Sequence, residues 1–295
     1  MSQSPTSPSF PGPIVIGGVG GSGTRVVAQM LLDLGVYMGA DLNPAHDNLW
    51  FTMLFRKPAW FARHSDRDDQ AIDRRLRRFA HAMQGRTPSP GDVALFARAA
   101  LGIALQDGNW KNVRYLRCIA TFALAGRVDR AAYTGWGWKE PNAHLYIEPL
   151  AALFPDLRYI HTIRHGLDMA YSSNQQQVLR WGPRFGIAPP RDPADMPRAS
   201  LAFWVAANQA AIEAGRARLG GRFLLLNFDA LCRDPEPHIA QLLTFLGRDP
   251  ASVDLAHLAS LPKLPPSVGR YREHDLSVHD PALVQAVRDL GFEVA

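Results

Sequence analysis

The apolar residues of this chain alternate between two patterns. Short unbroken runs occur at Pro13–Ile16, Thr134–Lys139, Leu157–Ile163 and Phe223–Phe228. Runs of this kind suit strands covered on both faces of a parallel sheet. Between them, apolar residues return at helical spacing. Val26, Val27, Met30, Leu31 and Leu34 fall on one helical face, and Gly35 supplies a stop. The same spacing predicts helices over His144–Phe154, Gly166–Gln177 and Ala199–Leu219. Two more are expected around Ile239, Leu242, Leu243 and Leu246, and near 281–290. Strands alternating with helices predict an α/β fold, a P-loop-like parallel sheet flanked by helices on both faces.

One stretch breaks the rhythm. Residues 48–130 carry few strand signals but have helical segments near 67–84 and 92–106, separated by TPSPGD. The charge run DRDDQAIDRRLRR reads as a solvated helix face. The stretch is expected to be a helical insertion covering a substrate pocket. Residues 178–198, rich in Pro and Arg, read as a lid-like loop. Residues 1–12 read as a disordered lead-in, leaving one α/β domain over 13–295. Ligands of open parallel sheets bind at the carboxyl ends of strands. Gly17–Arg25, Lys139–Asn142 and Arg164–His165 all fall at such ends.

Composition narrows the function classes. The 295 residues contain no apolar run of membrane-spanning length and no signal peptide. Cys118 and Cys232 are the only cysteines, too few for a disulfide framework or a zinc site. A reducing cytoplasmic location and no metal are therefore expected. The net charge of +5 comes almost wholly from arginine, since the lysines are only Lys57, Lys111, Lys139 and Lys263. A basic balance fits an anionic ligand. No aromatic–basic repeat or helix-turn-helix pattern points to nucleic acid.

The glycine-rich run GGVGGSGTR, 17–25, sits between the first strand and the first helix. Backbone N–H groups and a helix N-terminus converge on an anion in such a loop. A nucleotide-hydrolysing loop needs lysine after its last glycine, and Thr24 stands there instead. Ser22 or Thr24 is placed to cap the helix or bind phosphate. Three further segments accompany the loop: RYIHTIRHGLDMAYSS at 158–173, FLLLNFDALCRDP at 223–235, and the basic tail Gly269-Arg270-Tyr271-Arg272.

Together these resemble the sulfotransferase superfamily that uses 3′-phosphoadenosine 5′-phosphosulfate (PAPS). The resemblance implies that Gly20, Gly21, Ser22, Gly23, Thr24 and Arg25 bind the 5′ phosphate. It implies that Arg164 and Ser172, with Asp168 between them in R-x3-D-x3-S, bind the 3′ phosphate. Phe228 stands where the family has a tyrosine, and would pack on the adenine. Arg270, Tyr271 and Arg272 correspond to a basic segment that closes on the phosphates. Gly21 occupies the position of the family's usual Lys or Arg, so Arg25 or Lys139 must supply that charge.

The implied chemistry is metal-free, in-line sulfuryl transfer, with a cation at the leaving oxygen and a base for the acceptor proton. Lys139, in WKEPN, is the candidate cation. Asp41, Glu140, Asp47 and His46 are the candidate bases. The acceptor is a small molecule, carbohydrate or lipid. Trp50, Trp60, Trp110, Trp136, Trp138 and Trp181 are candidate pocket aromatics. Two rival enzymes remain open. Residues 18–23 also spell G-x-G-x-x-G, with Asp41 near the spacing of a ribose-binding acid, which fits an NAD(P)-dependent oxidoreductase. A small-molecule P-loop kinase shares the broad fold. A non-catalytic nucleotide-binding module is a third alternative.

Overall fold

The first strand, β1 (Ile14–Gly17), is buried along its whole length. Val15 joins the core on one face of the sheet, and Ile14 and Ile16 join the core on the other. The computed structural model describes residues 12–65, 70–106, 108 and 113–295. Apart from Gly12, the expected lead-in lies outside the described residues, as do Trp110, Lys111 and part of the charge run at 66–69.

Four more strands complete the sheet: β2 (Val36–Tyr37), β3 (Gly135–Lys139), β4 (Arg158–Ile163) and β5 (Phe223–Asn227). Their order is β2-β3-β1-β4-β5, and every pairing is parallel. The register places Ile16 beside Lys139, Gly17 beside His161 and Ile163 beside Asn227. The chain therefore leaves β3, β1, β4 and β5 along one edge of the sheet. The glycine loop, Lys139-Glu140, Arg164-His165 and Phe228-Asp229 become neighbours there, although 210 positions separate the first from the last (18 to 228).

The helices are α1 (Thr24–Asp33), α2 (Leu49–Phe55), α3 (Pro58–His64), α4 (Ala71–Met83), α5 (Pro90–Gln106), α6 (Val113–Ala123) and α7 (Ile147–Leu153). They continue as α8 (Gly166–Ala170), α9 (Gln176–Trp181), α10 (Met196–Leu219), α11 (Phe228–Arg233), α12 (Pro235–Leu246), α13 (Leu255–Ser260) and α14 (Pro281–Asp289). Helices α1, α11 and α12 cover the face of Ile14, Ile16, Leu224 and Leu226. The opposite face, with Trp136, Trp138 and Tyr159, meets α7, α8, α10 and the helices between β2 and β3.

Five helices, α2 to α6, run between β2 and β3, three more than the helical spacing there announces. Asn48 starts α2 by accepting a hydrogen bond from the Phe51 N–H at 3.0 Å. Phe51 stacks on Trp138 at 5.6 Å, and Phe79 meets the same ring edge-on at 5.0 Å. Burying each such ring is worth about 1.5–3 kcal/mol, so these aromatics fix the helical segment to the sheet. Trp50, Trp136, Trp138 and Trp181 are all core residues. Trp60 is half-buried beneath Arg75.

The helix expected over Gly166–Gln177 is broken into α8 and α9. The Gln175 amide donates to the carbonyls of Ala170 and Ser172 at 3.0 and 2.6 Å. Those carbonyls would otherwise accept from the next helical turn. Residues 178–198 are not wholly loop: α9 reaches Trp181, 3-10 turns occupy 182–185 and 193–195, and α10 starts at Met196. No helix among the described residues is long and apolar enough to cross a membrane.

Candidate active site at the strand ends

The glycine loop is held open by its backbone. Gly18, Gly21 and Gly23 have φ of 150°, 97° and 82°, a region that favours glycine. A Cβ on Gly23 would lie 2.1 Å from the Phe228 ring, so Phe228 is buried under the loop. The Ser22 N–H and hydroxyl both turn back to the Val19 carbonyl. Gly23 is the N-cap of α1, and no side chain caps that helix. An uncapped helix N-terminus of this kind can take an anion. Gly20 donates its N–H to Gln177 Oε1 at 2.6 Å. The Gln177 amide continues to Asn142 at 2.9 Å, and Asn142 to Glu140 Oε1 at 2.9 Å. A chain of side-chain amides thus joins the loop to the end of β3.

Lys139 is buried, and its Nζ donates to Asp47 Oδ1 and to the Ala45 carbonyl at 3.1 Å. Asn43 fixes the other Asp47 oxygen at 2.7 Å and accepts from the Ala45 and Asp47 N–H groups. This tight turn puts His46 at φ 61°. Burial, then the charges of Lys139 and Arg25, lower the His46 pKa. Arg25, in the first turn of α1, is exposed. Glu140 is lifted to about 7, first by burial and then by the Asp47 charge. Its Oε2 is buried with no hydrogen-bond partner. Asp41 sits elsewhere. Its buried carboxylate is held by Arg117 and by Thr121 at 3.3 Å, both on α6.

A second cluster lies at the end of β4. Buried Arg164 donates to Ser267 Oγ at 2.6 Å and to the Gly21 carbonyl at 3.5 Å. Its Nε lies 3.7 Å from Asp229. Asp229 also accepts the His165 N–H at 2.8 Å. Asp168 accepts the N–H groups of Gly269 and Tyr271 at 2.9 and 3.3 Å. The basic tail is thereby strapped over α8. Arg270 reaches the Tyr171 carbonyl at 3.3 Å, one residue before Ser172. Ser172 lies in the turn beyond α8, where its Oγ accepts from Asn174 N–H. Tyr271 is buried and stacked on His165 at 4.6 Å, while Arg272 is exposed. A cavity of about 560 Å³ opens between the strap and α11, lined by His165, Asn227, Arg233, Gly269 and Arg272.

The glycine loop, the end of β4 and α11 all fall within a match to one known family. The profile of the sulfotransferase family matches residues 13–251. The chain belongs to the sulfotransferase family.

Solved sulfotransferases are among the structures to which the chain is similar. The sulfotransferase domain of the Synechococcus PCC 7002 olefin synthase is 16% identical, with full coverage of both chains and a TM-score of 0.49. STF9 from Mycobacterium avium is 14% identical over 97% of this chain and 78% of its own, with a TM-score of 0.47. The sulfotransferase domain of the curacin biosynthetic pathway is 15% identical over 98% and 100%, with a TM-score of 0.47. No curated protein matches the sequence at a significant level.

The motifs of this sulfotransferase drew attention to most of the residues at the strand ends, but not to all of them. Asp229 follows Phe228 in the strand–aromatic–acid pattern, and that adjacency was its only signal. Gln177 and Ser267 gave none, because their partners Gly20 and Arg164 are distant in sequence. Asp41, at the spacing of a dinucleotide-binding acid, is instead engaged with α6, and the family match does not favour the oxidoreductase or kinase alternatives.

Proposed function

We propose that this sulfotransferase takes a sulfuryl group from PAPS and passes it in line to a hydroxyl of its acceptor. The observation that carries the reading is Arg164, buried at the end of β4 and bonded to both the glycine loop and the strap. A nucleotide bearing phosphates at both its 3′ and 5′ positions suits two such neighbouring sites. The loop Gly20–Arg25 and the N-terminus of α1 take the 5′ phosphate. Arg164, with Ser172, Arg270 and Arg272, takes the 3′ phosphate. Phe228 and Tyr271 hold these elements from below rather than touching the nucleotide.

In the transfer, the bond between sulfur and the 5′-phosphate oxygen breaks as the bond from sulfur to the acceptor oxygen forms. Negative charge grows on the leaving oxygen, and preorganised cations there lower the barrier. Lys139 is that cation, with Arg25 beside it. Lys139 is engaged with Asp47, so a shift of its Nζ toward the leaving oxygen releases Asp47 to take the acceptor proton. Asp47 is the favoured base because its side chain is 21% exposed, against 3% for Glu140. Asp41 is tied to Arg117, and burial, then the Lys139 and Arg25 charges, lower the His46 pKa and make it a weaker proton acceptor. Both are assigned supporting roles. The cations required are protein side chains, so turnover is expected to continue in excess chelator.

Calorimetric titration tests the donor assignment. Adenosine 3′,5′-bisphosphate is expected to bind at least tenfold more tightly than 5′-AMP, since a charge-assisted hydrogen bond is worth about 1.5–3 kcal/mol. Equal affinities would overturn the two-site reading, and tight binding of NADP alone would restore the oxidoreductase.

A further inference from the structure

The large apolar side chains that remain exposed are unevenly spread. Val113, Leu105 and Leu116 are 75%, 70% and 66% exposed, the highest values among the large apolar residues described. Leu101 and Leu124 add 50% and 47%. Four of these five lie on α5 and α6, and Leu124 directly follows α6. The two helices pack against each other. Each already has an inward apolar face: Phe96, Ala100 and Ile103 on α5, and Tyr115, Cys118 and Phe122 on α6. The outward leucines and valine are therefore a second apolar face that the fold does not use. A contiguous exposed apolar patch marks an interaction surface.

Its charges indicate the partner. Arg98, Arg114 and Arg117 stand exposed among these apolar residues. Helix α6 contains no acidic residue. The acid of α5, Asp92, lies in its first turn, far from Leu101 and Leu105, and is paired with Arg78. A symmetric contact with a second copy would bring this arginine-bearing face against itself. Among the described residues of α5 and α6 the one acid is Asp92, and the carboxylate beside Arg117, Asp41, is buried, so the exposed side chains of this face are apolar and basic, which matches the interface of an anionic bilayer. The face also continues into a cavity of about 510 Å³, where Val113, Arg114 and Arg117 oppose Leu42, Pro44 and Leu49. Asn43, in the wall of that cavity, is hydrogen-bonded to Asp47, the partner of Lys139.

We propose that the α5–α6 face docks on an anionic lipid bilayer, and that the cavity beside it receives the polar head of an amphiphilic acceptor held in that surface. The docking stands apart from sulfuryl transfer; the acceptor class rests on the function proposed above.

Vesicle flotation tests the docking without any acceptor. The full chain is expected to float with vesicles of mixed phosphatidylglycerol and phosphatidylcholine, and not with phosphatidylcholine alone. Added salt should weaken the binding. Arg98→Gln should weaken it about fivefold, and Leu105→Glu/Leu116→Glu on the order of tenfold or more. Both variants should keep the wild-type affinity for adenosine 3′,5′-bisphosphate, which shows that they are folded and separates this test from that of the donor. Failure of the wild type to float with the anionic vesicles would overturn the docking, as would equal flotation of the double-glutamate variant. A lipid-free dimer dissolved by the same substitutions would assign the face to a second copy instead. The acceptor clause falls if vesicles bind but the chain sulfates water-soluble acceptors equally well with and without them.

Discussion

The two sides of the strand ends are built by different means. Around Arg164, carboxylates grip main chain: Asp168 takes two N–H groups of the strap, and Asp229 takes that of His165. Buried charges paired this way cannot rearrange without leaving an unsatisfied group, which costs about 1–3 kcal/mol or more. Around Lys139 the ion pair is between side chains, Lys139 with Asp47, beside one bond to the Ala45 carbonyl, and the carboxylate sits on a short turn containing His46 at positive φ. That side faces a cavity whose far wall is α6. One half is fixed in advance, and the other can exchange partners. Such a division suits one rigidly held reactant and one that must enter, be aligned and leave.

The contrast is broken most sharply at the exchangeable half. Asp47→Asn should lower single-turnover sulfuryl transfer by about a hundred- to ten-thousandfold, the usual cost of losing a general base, with bisphosphate affinity retained. Asp41→Asn should cost far less; if it costs more, the proton goes to Asp41. Lys139→Met should lower turnover by on the order of a hundredfold or more while binding of the spent donor barely changes. Near-normal transfer by this variant would move the cation to Arg25.

At the fixed half the effect is on affinity. Arg164→Ala should erase most of the preference for the bisphosphate over 5′-AMP, about ten- to a hundredfold. A retained preference would place the 3′ phosphate elsewhere.

The buried groups between the halves give a signed pH test of stability. His144 and His161 are pushed down to about 4 by burial, so the stability they confer is present above pH 6.5 and lost as pH falls toward 4. Glu140, lifted to about 7, acts oppositely: its penalty is absent below pH 4.5 and full above 7. Glu140→Gln should therefore raise stability at pH 8 and change it little near pH 4. Urea midpoints at the two pH values measure this, and coincident midpoints at pH 8 would mean that Glu140 ionises without strain. The smallest effect concerns Gln177. Gln177→Leu frees the Gly20 N–H and should tighten bisphosphate binding by about two- to tenfold. No change would mean that the phosphate does not use that group.

Much of the sheet was legible because its strands are covered on both faces and read as unbroken apolar runs. Ile14–Ile16 and Phe223–Asn227 could hardly be anything else. The two-residue β2 was not legible, since Val36-Tyr37 is too short to show a period. The single helix expected over 166–177 failed for a local reason, the Gln175 amide turning onto the carbonyls of Ala170 and Ser172. At the site, glycines and arginines at strand ends announced themselves by position. The choice among Asp41, Asp47 and Glu140 could not be made from spacing. All three are acids shortly after a predicted strand or helix, and their partners in the fold, Arg117, Lys139 and Asn142, distinguish them.

Asp168 holds the strap through N–H groups alone, a bond that any residue but proline offers at positions 269 and 271. The anchor is blind to side-chain identity. Across related chains, Arg270 and Arg272 are then free to change and retune what the strap presents to a ligand without losing its attachment, whereas Gly269 is kept by its φ of 82° and Tyr271 by its burial against His165. The attachment itself fails with a proline at either position, or with an insertion or deletion between them that shifts the two N–H groups out of reach of a single carboxylate.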